Sequence, residues 1–204
     1  MSTTQISTHQ QARAEHKEAG FGIYLAFIPW VLFAFIAQHS TLKLAAIAAI
    51  AVSGAIALPS LLKGRPKLLE LGAILAFAGF TLVAFNADAT TSEWVARYAR
   101  AIAATLLSLI AFGSLLFIPF TEQYARESVP RQFWSSPRFK QTNRQLTTMW
   151  ATVFAAMVPA HVIAGAIDTH KANLILNWAI PVVLIMWAAK RTAAASNGAD
   201  EETR

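Results

Sequence analysis

The chain contains no cysteine, which excludes disulfides, thiolate metal sites, iron–sulfur clusters and cysteine nucleophiles together. Charge is also scarce. Only 14% of residues are Asp, Glu, Lys or Arg, against about 25% in soluble domains, and that deficit implies lipid as the solvent. Acids are the scarcer sign, 11 against 17 Lys and Arg, for a formal charge of +6. The excess does not indicate nucleic acid. The cations sit in short clusters beside apolar runs, where they face anionic headgroups, rather than on one surface. Enzyme signatures are missing as well: there is no Gly-rich phosphate loop, Gly-x-Ser-x-Gly or His-Glu-x-x-His, and no span holds paired carboxylates. The chain therefore reads as a non-enzyme, and no cofactor is expected.

What is abundant is apolar sequence. Hydrophobic residues make up 55% of the chain and gather into six stretches, residues 21–38, 42–62, 68–86, 101–120, 146–167 and 174–189. Each approaches the roughly 20 helical residues that cross a hydrocarbon core of about 30 Å. The expected fold is an all-α polytopic membrane bundle of about six spans. Residues 1–20 form a polar, mostly disordered arm, residues 21–190 the helical domain with a loop at 121–145, and residues 191–204 a polar tail. The first apolar run is full length and lacks a good cleavage site, so it reads as an uncleaved span.

The cations orient the bundle. With the N-terminus inside, the inner segments hold Arg13, Lys17, Lys63, Arg65, Lys67, Arg126, Arg131, Arg138, Lys140, Arg144, Lys190, Arg191 and Arg204, leaving Lys43, Arg97, Arg100 and Lys171 outside. By the positive-inside rule both termini are cytoplasmic. Thr90 and Glu93 fit a capping box that starts an amphipathic turn ahead of span four, with Trp94, Arg97, Tyr98 and Arg100 at the headgroups. Small residues recur every four positions at Ala45, Ala49, Ser53 and Ala57 and at Ala156, Ala160 and Ala164, a spacing that lets membrane helices approach closely. Prolines 29, 59, 159 and 181 lie within spans, where each can kink its helix.

Ionisable and polar groups at membrane depth are the usual functional suspects. Glu70, His161 and Asn177 form the set a small transporter or proton-coupled channel would use. Glu70 reads alternatively, and its shallow depth favours this, as an interfacial carboxylate paired with Lys67 or with a loop arginine. His161, deepest of the ionisable groups, reads as a haem ligand with His39 or as a histidine bonded to a neighbouring helix; His170 lies in a loop. Asn177, Thr105 and Ser108 are placed to form interhelical hydrogen bonds. In the 121–145 loop, Glu122 and Arg126 pair across a helical turn. The basic and aromatic residues Tyr124, Arg126, Arg131, Phe133, Trp134 and Arg138 suit either a membrane surface or a protein partner.

From residue 63 to 190 the order of features resembles the intracellular septation protein A family of bacterial inner-membrane proteins. The shared pieces are Lys67 and Glu70 opening a span, Gly79-Phe-Thr-Leu82, Asn86 and Asp88 followed by Trp94, Pro119, Val129-Pro130 with Trp134, Asn143, and Trp150 with Phe154. This chain differs in a longer loop and in six spans where the family has five. The resemblance implies a bacterial inner membrane and a role in cell-envelope synthesis or septation through protein partners, without a catalytic site. The leading expectation is thus a non-enzymatic accessory or scaffold protein in the bilayer, bound to other membrane proteins or to itself and not to nucleic acid. A transporter is the alternative, and a haem- or pigment-binding subunit the third reading.

Overall fold

The structure, a computed structural model, describes the backbone of residues 22–202 and the side chains of residues 22–195. The arm expected at 1–20 lies outside the described residues. Helix forms where apolar, alanine-rich sequence runs uninterrupted, because in lipid each backbone N–H and C=O must be satisfied within its own segment. The helices are α1 (Ile28–His39), α2 (Leu42–Leu62), α3 (Leu68–Asn86), α4 (Ala89–Ser114), α5 (Phe120–Ala125), α6 (Pro137–Ile167), α7 (His170–Leu174) and α8 (Ile180–Glu202). A 3₁₀ turn covers Arg131–Phe133, and a π-helical turn over Ile175–Ala179 joins α7 to α8. No strand occurs among the described residues.

Six helical segments are long and apolar enough to cross a membrane: Gly22–His39, Leu42–Leu62, Leu68–Asn86, Ala89–Ser114, Pro137–Ile167 and His170–Ala195. Spans two and three keep the bounds expected from the sequence, and the others shift. Span four starts at Ala89 and ends at Ser114 rather than 120, because residues 115–118 turn and Pro119 stands at the N-cap of α5. Its cap is Asp88, not Thr90: the Asp88 carboxylate accepts from the Thr91 N–H at 2.8 Å. That bond holds the exposed carboxyl below its ordinary pKa. Span five starts nine residues earlier than 146, on a Ser136 cap with Pro137 in its first turn. The last helix continues past 190 to Glu202.

Two of the four span prolines reshape their helices. Pro29 starts the regular part of span one after a turn at Ala26–Phe27. Pro181 has no N–H for the Asn177 carbonyl one turn earlier, and the preceding turn widens to π geometry. Pro59 and Pro159 sit inside continuous helices.

With six spans, residues 22 and 195 lie at the same end of the bundle, here termed the terminal face; the short links at Ser40–Thr41, Ala87–Asp88 and Asp168–Thr169 mark the hairpin face. Packing is most extensive between α4 and α6, then along the α2–α3 and α1–α2 pairs, while α8 rests mainly on α6. Ala45, Ala49, Ser53 and Ala57 are all buried, which makes them one continuous seam on α2. The α6 stripe holds only in part. Ala160 and Ala164 are buried but Ala156 is exposed, because larger residues, Trp150, Phe154 and Met157, supply that contact face. Aromatic rings fill the centre. Phe33 packs on Phe77 at 5.2 Å and Phe80 at 4.4 Å, and Phe27 stacks on Trp150 at 5.2 Å. Such pairs contribute about 0.5–1.5 kcal/mol beyond area burial. Between 17% and 50% of each span is buried in the protein. The remainder exposes residues such as Leu75, Leu82, Leu109 and Val183, an outside that only lipid or another apolar surface can solvate.

Candidate functional sites at the two faces of the bundle

Two polar clusters cap the apolar interior, one on each face. On the terminal face Glu70 is 5% exposed. It accepts from the Ser60 hydroxyl at 2.5 Å and the Tyr124 hydroxyl at 3.5 Å, and it pairs with Lys67 at 3.5 Å. Lys67 also reaches Glu127 at 2.8 Å and lies 4.3 Å from the centre of the Tyr124 ring. Two carboxylates therefore share one ammonium beneath an aromatic lid. Burial pushes the Tyr124 hydroxyl well above its ordinary pKa, and the charges of Glu70 and Glu127 push it further. Of the two sequence readings of Glu70, the interfacial one with Lys67 as partner describes this geometry.

Short α5 is fastened at both ends. The Phe120 N–H donates to Ser114 Oγ at 3.1 Å. Thr121 Oγ1 donates to the Asn143 carbonyl at 2.8 Å and meets Thr147 Oγ1 at 2.9 Å. Gln123 accepts from the Leu68 N–H at 2.7 Å, which caps α3 from a distance. Glu122 and Arg126 pair at 2.6 Å, as their spacing predicts. Beyond them Trp134 donates its indole N–H to the Val129 carbonyl at 2.8 Å. Two guanidinium groups lie near its ring, Arg126 at 5.0 Å and Arg131 at 5.6 Å from the centre.

This geometry divides the six loop residues expected at a surface. Tyr124 is 3% exposed and belongs to the core, because its hydroxyl seeks Glu70. Arg126 is half-buried and engaged by Glu122 and Trp134. Arg131, Phe133 and Arg138 are exposed, with Trp134 half-exposed among them.

The hairpin-face cluster draws on α1, α4, α6, α7 and the π-helical turn. His161 Nδ1 donates to Asn177 Oδ1 at 2.7 Å, and Asn177 Nδ2 donates to Asn173 Oδ1 at 2.6 Å. Arg100 Nη2 donates to the Ala34 carbonyl at 2.8 Å and to Gln38 Oε1, which also accepts from the Trp178 indole N–H at 2.8 Å. The Arg100 guanidinium lies 5.3 Å from the Trp178 ring centre. Its Nε is buried without a hydrogen-bond partner, and among the described residues no carboxylate pairs with it. A nearby groove of about 370 Å³ has Phe35, Leu174 and Trp178 as apolar walls and Gln38, His39, His170 and Asn173 as polar ones.

His161 and Asn177 are thus in direct contact, whereas Glu70 lies at the opposite face, so the three-residue transport set is not one site. His39 donates from Nδ1 to the Phe35 carbonyl of its own helix at 2.8 Å, and His161 is bonded to Asn177. The structure does not pair these two histidines with each other. Among the described residues no group of three or more His, Asp or Glu side chains is arranged to hold a metal. Ser108 bonds across to the Ala151 carbonyl at 3.1 Å as expected, while Thr105 bonds back within its own helix.

Sequence reasoning missed Gln38, Asn173 and Trp178 and read Arg100 as an interfacial anchor. Two signals were present: amides four apart at Asn173 and Asn177, and Pro181 four residues after Asn177. The first puts both amides on one helix face, and the second marks a distorted turn. Comparison with known proteins places no family beside these sites: no protein-family model, curated protein or solved structure matches the chain.

Proposed function

We propose that this protein is a non-enzymatic accessory or scaffold component of a bacterial inner membrane, both termini cytoplasmic, that engages another membrane protein through its terminal face. The observation that carries this reading is the ordered basic–aromatic platform at Arg131–Arg138. A loop that served only as a tether would have no need to gather two arginines on one indole and to bolt its supporting helix to α3, α4 and α6. Aromatic residues and arginine are the types that dominate binding energy at protein interfaces. Pre-ordering them lowers the entropic cost of association. The exposed cations suit an acidic segment on the partner. The resemblance across residues 63–190 points the same way, toward cell-envelope assembly through protein contacts.

A photoreactive residue in place of Phe133, irradiated in the native membrane, tests the proposal. The expected product is a covalent adduct with one discrete polypeptide, lost when Arg131→Glu is added. Adducts with lipid alone, or a polypeptide adduct indifferent to Arg131→Glu, would refute partner docking at this face.

A further inference from the structure

The hydrogen bonds of the hairpin-face cluster run in one direction. Arg100 and Trp178 both donate to Gln38 Oε1, which commits that oxygen and leaves the Gln38 amide N–H₂ without an acceptor among the described residues. His161 donates to Asn177, and Asn177 donates to Asn173 Oδ1, which leaves the Asn173 amide N–H₂ in the same position. Both unspent amides belong to residues that line the groove, where His39 and His170 are the other polar walls. His39 has Nδ1 committed to the Phe35 carbonyl, so Nε2 is its remaining ring nitrogen. No carboxylate lines the groove. The nearest acid in sequence, Asp168, is paired with Arg97 at 3.3 Å. Behind the Trp178 wall stands the Arg100 guanidinium, with no carboxylate of its own. With Nδ1 donating, neutral His39 presents Nε2 as an acceptor, so the donors left in the groove are the Gln38 and Asn173 amides; two unspent N–H₂ groups on one groove suit an acceptor that brings negative charge.

We infer that the groove between α1 and the α7–π segment binds the carboxylate or phosphate group of an anionic amphiphile. The anionic group sits at the Gln38 and Asn173 amides within the field of Arg100, and the apolar part lies along Phe35 and Leu174. Those two walls are more than half exposed, at 53% and 58%, and face outward where a chain can run along the bundle. The site is independent of the terminal-face platform at the opposite end of the molecule.

The chemistry is shared by a lipid headgroup and by a free anion, and one experiment separates them. The full-length protein in mild detergent is titrated with phosphatidylglycerol or phosphatidylcholine and read by native mass spectrometry, with inorganic phosphate as the soluble competitor. The wild type is expected to retain phosphatidylglycerol about tenfold better than phosphatidylcholine, in keeping with charge-assisted hydrogen bonds. Displacement by phosphate identifies a free-anion site, and persistence of the adduct identifies a headgroup site; either supports the inference. Asn173→Asp and Gln38→Glu each preserve the acceptor oxygen already engaged while replacing the amide N–H₂ with a second carboxylate oxygen. Both are expected to melt at or above the wild-type temperature and to lose the preference. Equal retention of the two lipids with no binding of phosphate, or an undiminished preference in both folded variants, would overturn it.

Discussion

At the scale of single residues, the polar groups of this protein separate into those that close the bundle and those that face out of it. Tyr124 is of the first kind. Its hydroxyl is held above the ordinary tyrosine value by burial and by Glu70 and Glu127. Unfolding returns it to a pKa of about 10, so as pH rises the unfolded chain releases this proton before the folded one does. The stability it contributes is complete below pH about 10 and declines above it. Tyr124→Phe should therefore show a shallower fall of melting temperature than the wild type between pH about 10 and about 11.5. Equal slopes would mean that the hydroxyl is not held neutral in the fold. Residue identity alone could single out Glu70, His161 and Asn177 as polar groups at membrane depth. It could not tell which of them meet, because that depends on helix rotation. The π turn before Pro181 belongs to the segment that carries Asn177 and Trp178 into the cluster, and nothing in the periodicity fixes such a turn beforehand.

At the scale of elements, apolar length and small-residue spacing carried most of the fold. The limits of α2 and α3 were legible because a Thr41 cap, the Lys63–Lys67 cluster and Asn86 bound uniform apolar runs. The limits of α4 and α6 were not. Both continue as helix beyond the apolar stretch, from caps at Asp88 and Ser136, and hydropathy does not register a polar helix that projects from lipid. The α2 seam was legible in full, since Ala45, Ala49, Ser53 and Ala57 drift only about 40° per step round one face and no large residue competes for it. Ala49 is wholly buried there. Ala49→Leu should lower stability by about 1–3 kcal/mol through overpacking, measured by chemical or thermal unfolding in detergent, while Ala156→Leu on exposed α6 surface should be near neutral. A neutral Ala49→Leu would mean that α2 does not pack closely on its neighbours.

For the whole molecule, the same physics explains both the broad legibility of the sequence and the silence about its ligands. A membrane bundle is specified by where lipid, headgroup and neighbouring helix each lie, and composition encodes those three environments directly. Binding surfaces are specified by the directions of a few side chains, such as the amides of Gln38 and Asn173 or the rings of Phe133 and Trp134, and these emerge only once the helices are placed. The terminal-face platform and the hairpin-face groove are assigned to opposite sides of the membrane, so both readings rest on the sidedness of the six-span threading. Because the chain has no cysteine, single cysteines report that sidedness without background. Cysteines introduced by Arg131→Cys and Lys171→Cys would be exposed, in intact cells, to a maleimide that cannot cross the inner membrane. The account predicts that Lys171→Cys is labelled and that Arg131→Cys is labelled only after the membrane is opened. Labelling of Arg131→Cys in intact cells would contradict it.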